Sequence, residues 1–191
     1  MFADPVAVGL DAKKFDMHVS AQALMFEHNL YNEVFHSKKL KRLLMWQIRN
    51  KGKAYTQDGE LSYEILGTRS SGDLNTALGN CYLMCAMIWS LAHSLSIKIQ
   101  LANNGDDCVV VMEREDVECF VHAVPEFFSR LGFRMKIEQP VDCFECIEFC
   151  QTNPVFNGAS YTMVRNPRTC LVKDAMCIHI VTGKQIGRAH V

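Results

Sequence analysis

Three aspartates stand where strands are expected to end: Asp11, and the adjacent pair Asp106 and Asp107. Carboxylates brought together repel one another unless a cation lies between them, and hard oxygen donors of this kind suit Mg²⁺. Two such ions can clamp the attacking and leaving oxygens of a phosphoryl transfer. Alternation along a strand puts Asp11 on the face of Ala7 and Gly9, with Val6, Val8 and Leu10 on the other. Small neighbours beside a carboxylate leave room for a bulky ligand. The triplet Gly105-Asp106-Asp107 by itself reads equally as an exposed turn, since Asp is a favoured turn residue.

These residues need elements to position them. Residues 5–10 (PVAVGL) are expected as a short buried strand with Asp11 at its end. Asn104-Gly105, lying between strand-like runs at 97–101 and 108–112, is a strong two-residue hairpin signal. That turn would make Asp106 the first residue of the return strand, with Asp107 pointing to the opposite face. Asp106 is thus the expected principal ligand and Asp107 the auxiliary one. Helices are expected over 20–35, 37–50, 73–95 and 116–131, the last bent at Pro125, which has no N–H to give the helix ladder. Further strands are expected over 60–66, 133–137 and 147–152. Strands and helices mixed with an antiparallel hairpin give an α+β fold.

Composition narrows the class. The chain has 191 residues, 49% of them hydrophobic, with 20 Lys+Arg against 21 Asp+Glu. It is long enough for a sizeable core, which excludes a disordered chain or a disulfide-stapled miniprotein. A formal net charge of −1 gives no global attraction to nucleic acid or an anionic membrane, so such binding needs local patches. One candidate patch holds Lys38, Lys39, Lys41, Arg42, Arg49, Lys51 and Lys53 with no acid among them, although a solvated helix face reads the same way. The 24 uncharged residues 74–97 are long enough to span a bilayer, but Asn75, Thr76, Asn80 and His93 fit a buried helix better. Nine cysteines, without a secretory leader pattern, read as reduced thiols. Cys143, Cys146 and Cys150 have metal-like spacing but lack a fourth ligand, so they read as core cysteines, and His18 reads as structural.

Taken together, the segments are more specific. GLDAKKFDMHVS (residues 9–20), SSGDLNTALGN (70–80) and NNGDDCVVV (103–111) closely resemble motifs A, B and C of the RNA-dependent RNA polymerases of positive-strand RNA viruses. The version resembles that of the tombusvirus-like plant viruses. FRMKIEQP (133–140) is similar to motif D, IEFCQTNPV (147–155) to motif E, and MVRNPRTCLVKD (163–174) to the start of the segment leading to the thumb. Lys13-Lys14, Met17 and Leu74 depart from the usual pattern, but none removes a carboxylate.

The resemblance implies a polymerase palm, with a central antiparallel sheet backed by helices. It implies that Asp11 and Asp106, with Asp107 nearby, hold two Mg²⁺ or Mn²⁺ ions. Asp16 and Asn80 would read the ribose 2′-OH. Ser71, Gly72 and Thr76 would contact template and nucleotide, and Lys136 would give a proton to departing pyrophosphate, with Lys173 as a competitor. Implied partners are the RNA template and nascent RNA, NTPs, and other replicase segments or subunits, with membrane association only through parts outside this chain. The implied location is the reducing host cytoplasm, at membrane-bound replication sites.

Residues 1–174 are therefore expected to form a palm fragment and 175–191 a tail, of which 186–191 (IGRAHV) match a translated sequencing adapter. Without fingers or thumb, the fragment alone is expected to be inactive. The alternative function is a non-catalytic RNA-binding module using the basic 38–53 stretch.

Overall fold

The structure is a computed structural model in which residues 2–175 are described. The tail from 176 on, including the adapter-like 186–191, lies outside the described residues. The elements in chain order are β1 (Pro5–Ala12), α1 (Phe15–His18), α2 (Ala21–Phe35), α3 (Lys38–Trp46), β2 (Arg49–Thr56), β3 (Gly59–Leu66), α4 (Thr76–Leu95), β4 (Gln100–Asn104), β5 (Asp107–Glu113), α5 (Val117–Arg130), β6 (Met135–Ile137), β7 (Thr152–Phe156), β8 (Tyr161–Arg165) and α6 (Pro167–Ala175). Helix and strand are mixed as an α+β fold.

The central sheet has the order β4-β5-β1-β6 and every pairing in it is antiparallel. One face is apolar because every second residue of β1 and β5 is: Val8, Leu10, Cys108, Val110 and Met112 are essentially dry. They meet Met84, Ile88 and Leu91 of α4 and Phe120, Val124 and Phe128 of α5, whose spacing puts each set on one helix face. Burying each such side chain contributes about 1.5–3 kcal/mol, so this two-layer core holds the site's strands in register. Pro125 sits inside α5, which continues through it. No helix among the described residues is long and apolar enough to cross a membrane.

Several local expectations change. The helix expected over 37–50 ends at Trp46, and Arg49 opens β2, which pairs with β3 from Arg49↔Leu66 to Thr56↔Gly59. The eight-residue ladder replaces the last helical turn, with exposed ion pairs Arg49–Glu64 and Lys53–Glu60 along it. The strand expected over 147–152 starts later, as β7. Cys150 and Gln151 both take positive φ (53° and 60°) and reverse the chain first.

Tertiary contacts divide the chain into two compact units, one ending at Asp142 and the other beginning at Cys143. The second contains the β7–β8 hairpin, with Phe144 edge-on to Tyr161. Cys143 and Cys146 are exposed there rather than in a core, at the two ends of a short 3₁₀ turn that buries none of its residues.

Candidate active site

The site lies at one end of the central sheet. Asp11 is the penultimate residue of β1, and its direct cross-strand neighbours are Asp107 on β5 and Lys136 on β6. Directly opposed residues project to the same face, so Asp107, Asp11 and Lys136 form a row across three strands. Gly9 lies one step back on that face, and a Cβ there would stand 2.5 Å from Glu138 Oε2. Glu138 accepts a hydrogen bond from Lys136 Nζ at 3.2 Å.

The hairpin turn differs from the expected one by one residue. Asn104 pairs with Asp107, so the two turn residues are Gly105 and Asp106. Gly105 has φ +78°, which suits a glycine at the first turn position. Docking on α4 explains the shift: Gly105 N–H donates to Cys81 Sγ (3.1 Å), and Asn103 Nδ2 donates to the Cys81 carbonyl (2.9 Å). Asp106 is therefore in the turn rather than on the strand, and it is Asp107 that shares a face with Asp11. Asp106 still reaches the site, since its carbonyl accepts from Ala12 N–H at 3.0 Å. Its carboxyl pKa is raised, first by desolvation and then by the charges of Asp11 and Asp16. Among the described residues, no three His, Cys, Asp or Glu side chains are grouped closely enough to hold a metal ion.

Asp16, in α1, is joined to the loop before α4. Asn80 Nδ2 donates to Asp16 Oδ1 at 2.7 Å, and the Ser71 hydroxyl donates to Asp16 Oδ2. Asn80 is buried and its own Oδ1 has no partner. Thr76 Oγ1 donates to the Ser70 carbonyl (3.0 Å), tying the helix start to the loop, while Gly72 is exposed with open space around it. The backbone of Asp16–Val19 receives the incoming chain: Thr68 N–H donates to Val19 O (2.7 Å) and Arg69 N–H to Asp16 O (2.8 Å). Asp11, Asp16, Ser71, Asn80, Asp106, Asp107 and Lys136 thus belong to one bonded region. Lys173 is instead in the second unit, where it donates to Gln151. His18 bonds the Lys14 carbonyl within its own turn.

Sequence reading missed the support beneath this region. Glu27 of α2 and Arg69 form an ion pair with both side chains fully buried. Tyr31, Asn75, Gln47 and His28 extend the pair into a polar network. The signal was available: Leu24, Glu27, His28 and Tyr31 share the inward stripe of α2, where an acid requires a partner. The basic stretch also loses much of its promise. Arg49 and Lys51 pair with Glu64, and Lys53 with Glu60, leaving Lys38, Lys39, Lys41 and Arg42 on α3 as a separate group.

An antiparallel sheet backed by helices, with aspartates gathered at one end, is the α+β architecture of a polymerase palm. The chain belongs to the family described as viral RNA dependent RNA polymerase, which matches residues 1–188. It is 51% identical over 174 residues to the RNA-directed RNA polymerase of Tobacco necrosis virus (strain A), covering 91% of this chain and 24% of that protein. Identity to the RNA-directed RNA polymerase of Oat chlorotic stunt virus is 52% over 180 residues, covering 92% and 24% respectively. For that of Tomato bushy stunt virus it is 46% over 190 residues, covering 98% and 23%. The chain thus spans about a quarter of the length of the curated relatives it matches.

Proposed function

We propose that this chain is the palm portion of an RNA-directed RNA polymerase that extends a primer or nascent RNA by templated transfer of nucleotides from NTPs. Its partners are the RNA template, NTPs and the remaining replicase segments, at membrane-bound sites in the host cytoplasm. Magnesium or manganese, as two ions held by Asp11, Asp106 and Asp107, would activate the 3′-OH and neutralise the leaving pyrophosphate. The chemistry of the donor set suits such ions, all three side chains offering hard carboxylate oxygens, which the ions would draw together from the wider spacing seen here.

The chain's own residues have distinct tasks. Asp16 and Asn80, bonded to each other, meet the ribose and favour its 2′-OH, which a deoxyribose lacks. Ser71 holds the second oxygen of Asp16 so that the carboxylate keeps one orientation. Lys136, beside Asp11, gives a proton to the departing pyrophosphate.

The observation that carries this reading is the direct bonding of the three motif segments, through Asn80 to Asp16, Gly105 to Cys81 and Asp106 to Ala12. The test uses the full-length polymerase, with templated NTP incorporation measured for wild type, Asp106→Ala and Asn80→Ala. The reading expects near-complete loss in the first and a lower ribose-to-deoxyribose preference in the second. Full activity in Asp106→Ala would exclude it, and unchanged RNA affinity with no metal binding would favour a non-catalytic RNA-binding module.

A further inference from the structure

Glu27 takes no part in the chemistry above, yet its buried carboxylate is bonded on every side. Oε1 accepts from the Tyr31 hydroxyl at 2.8 Å and from Asn75 Nδ2 at 2.7 Å. Oε2 accepts from Arg69 Nη2. A Cβ on Gly79 would collide with the same carboxylate, so Glu27 also lies directly against α4. Arg69 and Asn75 stand immediately before and after residues 70–74, the loop that delivers Ser71 to Asp16.

The same two residues link the network to the nucleotide region. Arg69 N–H donates to the Asp16 carbonyl, so the guanidinium end is fixed by Glu27 and the backbone end by the Asp16 turn. Asn75 occupies the N-cap position of α4 but makes no capping bond there. Its carboxamide is used by Glu27 and by Gln47, whose Nε2 donates to Asn75 Oδ1 at 2.8 Å. An ion pair removed from water has a large desolvation cost, and an apolar pair of similar volume often stabilises a fold as well. An apolar pair has no directional bonds with which to hold two separate stretches of backbone.

We propose that Glu27 is the positioning residue of the nucleotide-reading loop. By holding Arg69 and Asn75 on either side of 70–74, it sets where Ser71 and Asn80 meet Asp16, and so the preference for ribonucleotides over 2′-deoxyribonucleotides. The inference rests on the polymerase reading above and deepens it.

The test compares kcat/KM for ATP and dATP in the full-length polymerase on one primed template. Glu27→Gln is expected to lower the ATP/dATP ratio about tenfold, the scale of a lost charged hydrogen bond, with KM for ATP rising more than kcat falls. Because that change leaves Arg69 buried without its counter-ion, the double variant Glu27→Met/Arg69→Met is measured beside it and is expected to fold and show the same loss. Phe128→Leu, a core change away from the loop, should lower the melting temperature and leave the ratio alone. A ratio within about twofold of wild type in either folded Glu27 variant overturns the proposal. So does failure of both to fold while Phe128→Leu remains soluble, which would make Glu27 a folding residue only. An unchanged ratio in Asp16→Ala and Asn80→Ala would instead remove the reading beneath it.

Discussion

Two sets of carboxylates in this molecule have opposite surroundings. At the sheet end, the Asp106 pKa is raised first by burial and further by the charges of Asp11 and Asp16. Beneath the loop, the fully buried Glu27 side chain faces a guanidinium, a hydroxyl and a carboxamide, all donors. The first set mixes like charges with a few donors, from Asn80 and Ser71 to Asp16, and the second is fully compensated. Like charges gathered at one sheet end suit a ligand that neutralises them, whereas a satisfied buried charge points to placement.

The sharpest way to break that contrast is to neutralise one member of each set in the full-length polymerase. Asp106→Asn should lower templated incorporation by on the order of a thousandfold, while unfolding in urea shifts little or toward higher stability. A stability loss matching the activity loss would show that the two sets do not differ. Glu27→Ala should cost about 3–5 kcal/mol of folding free energy in the same urea experiment, because it leaves Arg69 buried and unpaired. Lys136→Leu tests the cation of the cross-strand row. It should lower kcat about a hundredfold with KM nearly constant in steady-state kinetics, and equal changes in both would remove its proton-donor role. Gly79→Ala pushes a methyl toward the Glu27 carboxylate and should destabilise by about 1–3 kcal/mol in the same urea experiment.

The smallest effect concerns pH. Burial holds the His28 pKa below its ordinary value of 6.5, with the Arg69 charge also lowering it and Glu27 and Gln47 partly opposing. A depressed histidine takes up its proton more readily unfolded than folded, so its contribution to stability is complete above pH 6.5 and declines as pH falls below it. Melting temperature should therefore fall with acidification over that window, and His28→Gln should flatten the slope. An identical slope in both proteins would place the acid sensitivity elsewhere.

Much of this was legible before any coordinates. The apolar run of β1, the long uncharged run of α4 and the Asn-Gly hairpin signal follow from local chemistry, and the family resemblance paired Asp16 with Asn80. What was not legible depends on distant partners. Arg49–Thr56 (RNKGKAYT) has no apolar alternation and becomes a strand only because β3 lies beside it with Glu60 and Glu64. The turn moved by one residue because Cys81, on another element, offers a sulfur and a carbonyl to it. That Glu27 is buried could be read from its own helix, but apart from Tyr31 the donors that satisfy it come from residues 42 and 48 positions away, beyond the reach of any local pattern.

The β2–β3 ribbon has a consequence for handling the protein. Tyr55, Leu61, Tyr63 and Leu66 are all more than half exposed on it, and a lone two-stranded ribbon has open edges that a second copy can extend. Lys51, Lys53, Glu60 and Glu64 stud the same ribbon, and charges along an edge oppose such stacking. Salt screens those charges and leaves the apolar surface untouched. The colloidal behaviour of this piece should therefore run against the usual remedy for a protein sticking to nucleic acid, with self-association growing as the buffer is made more saline.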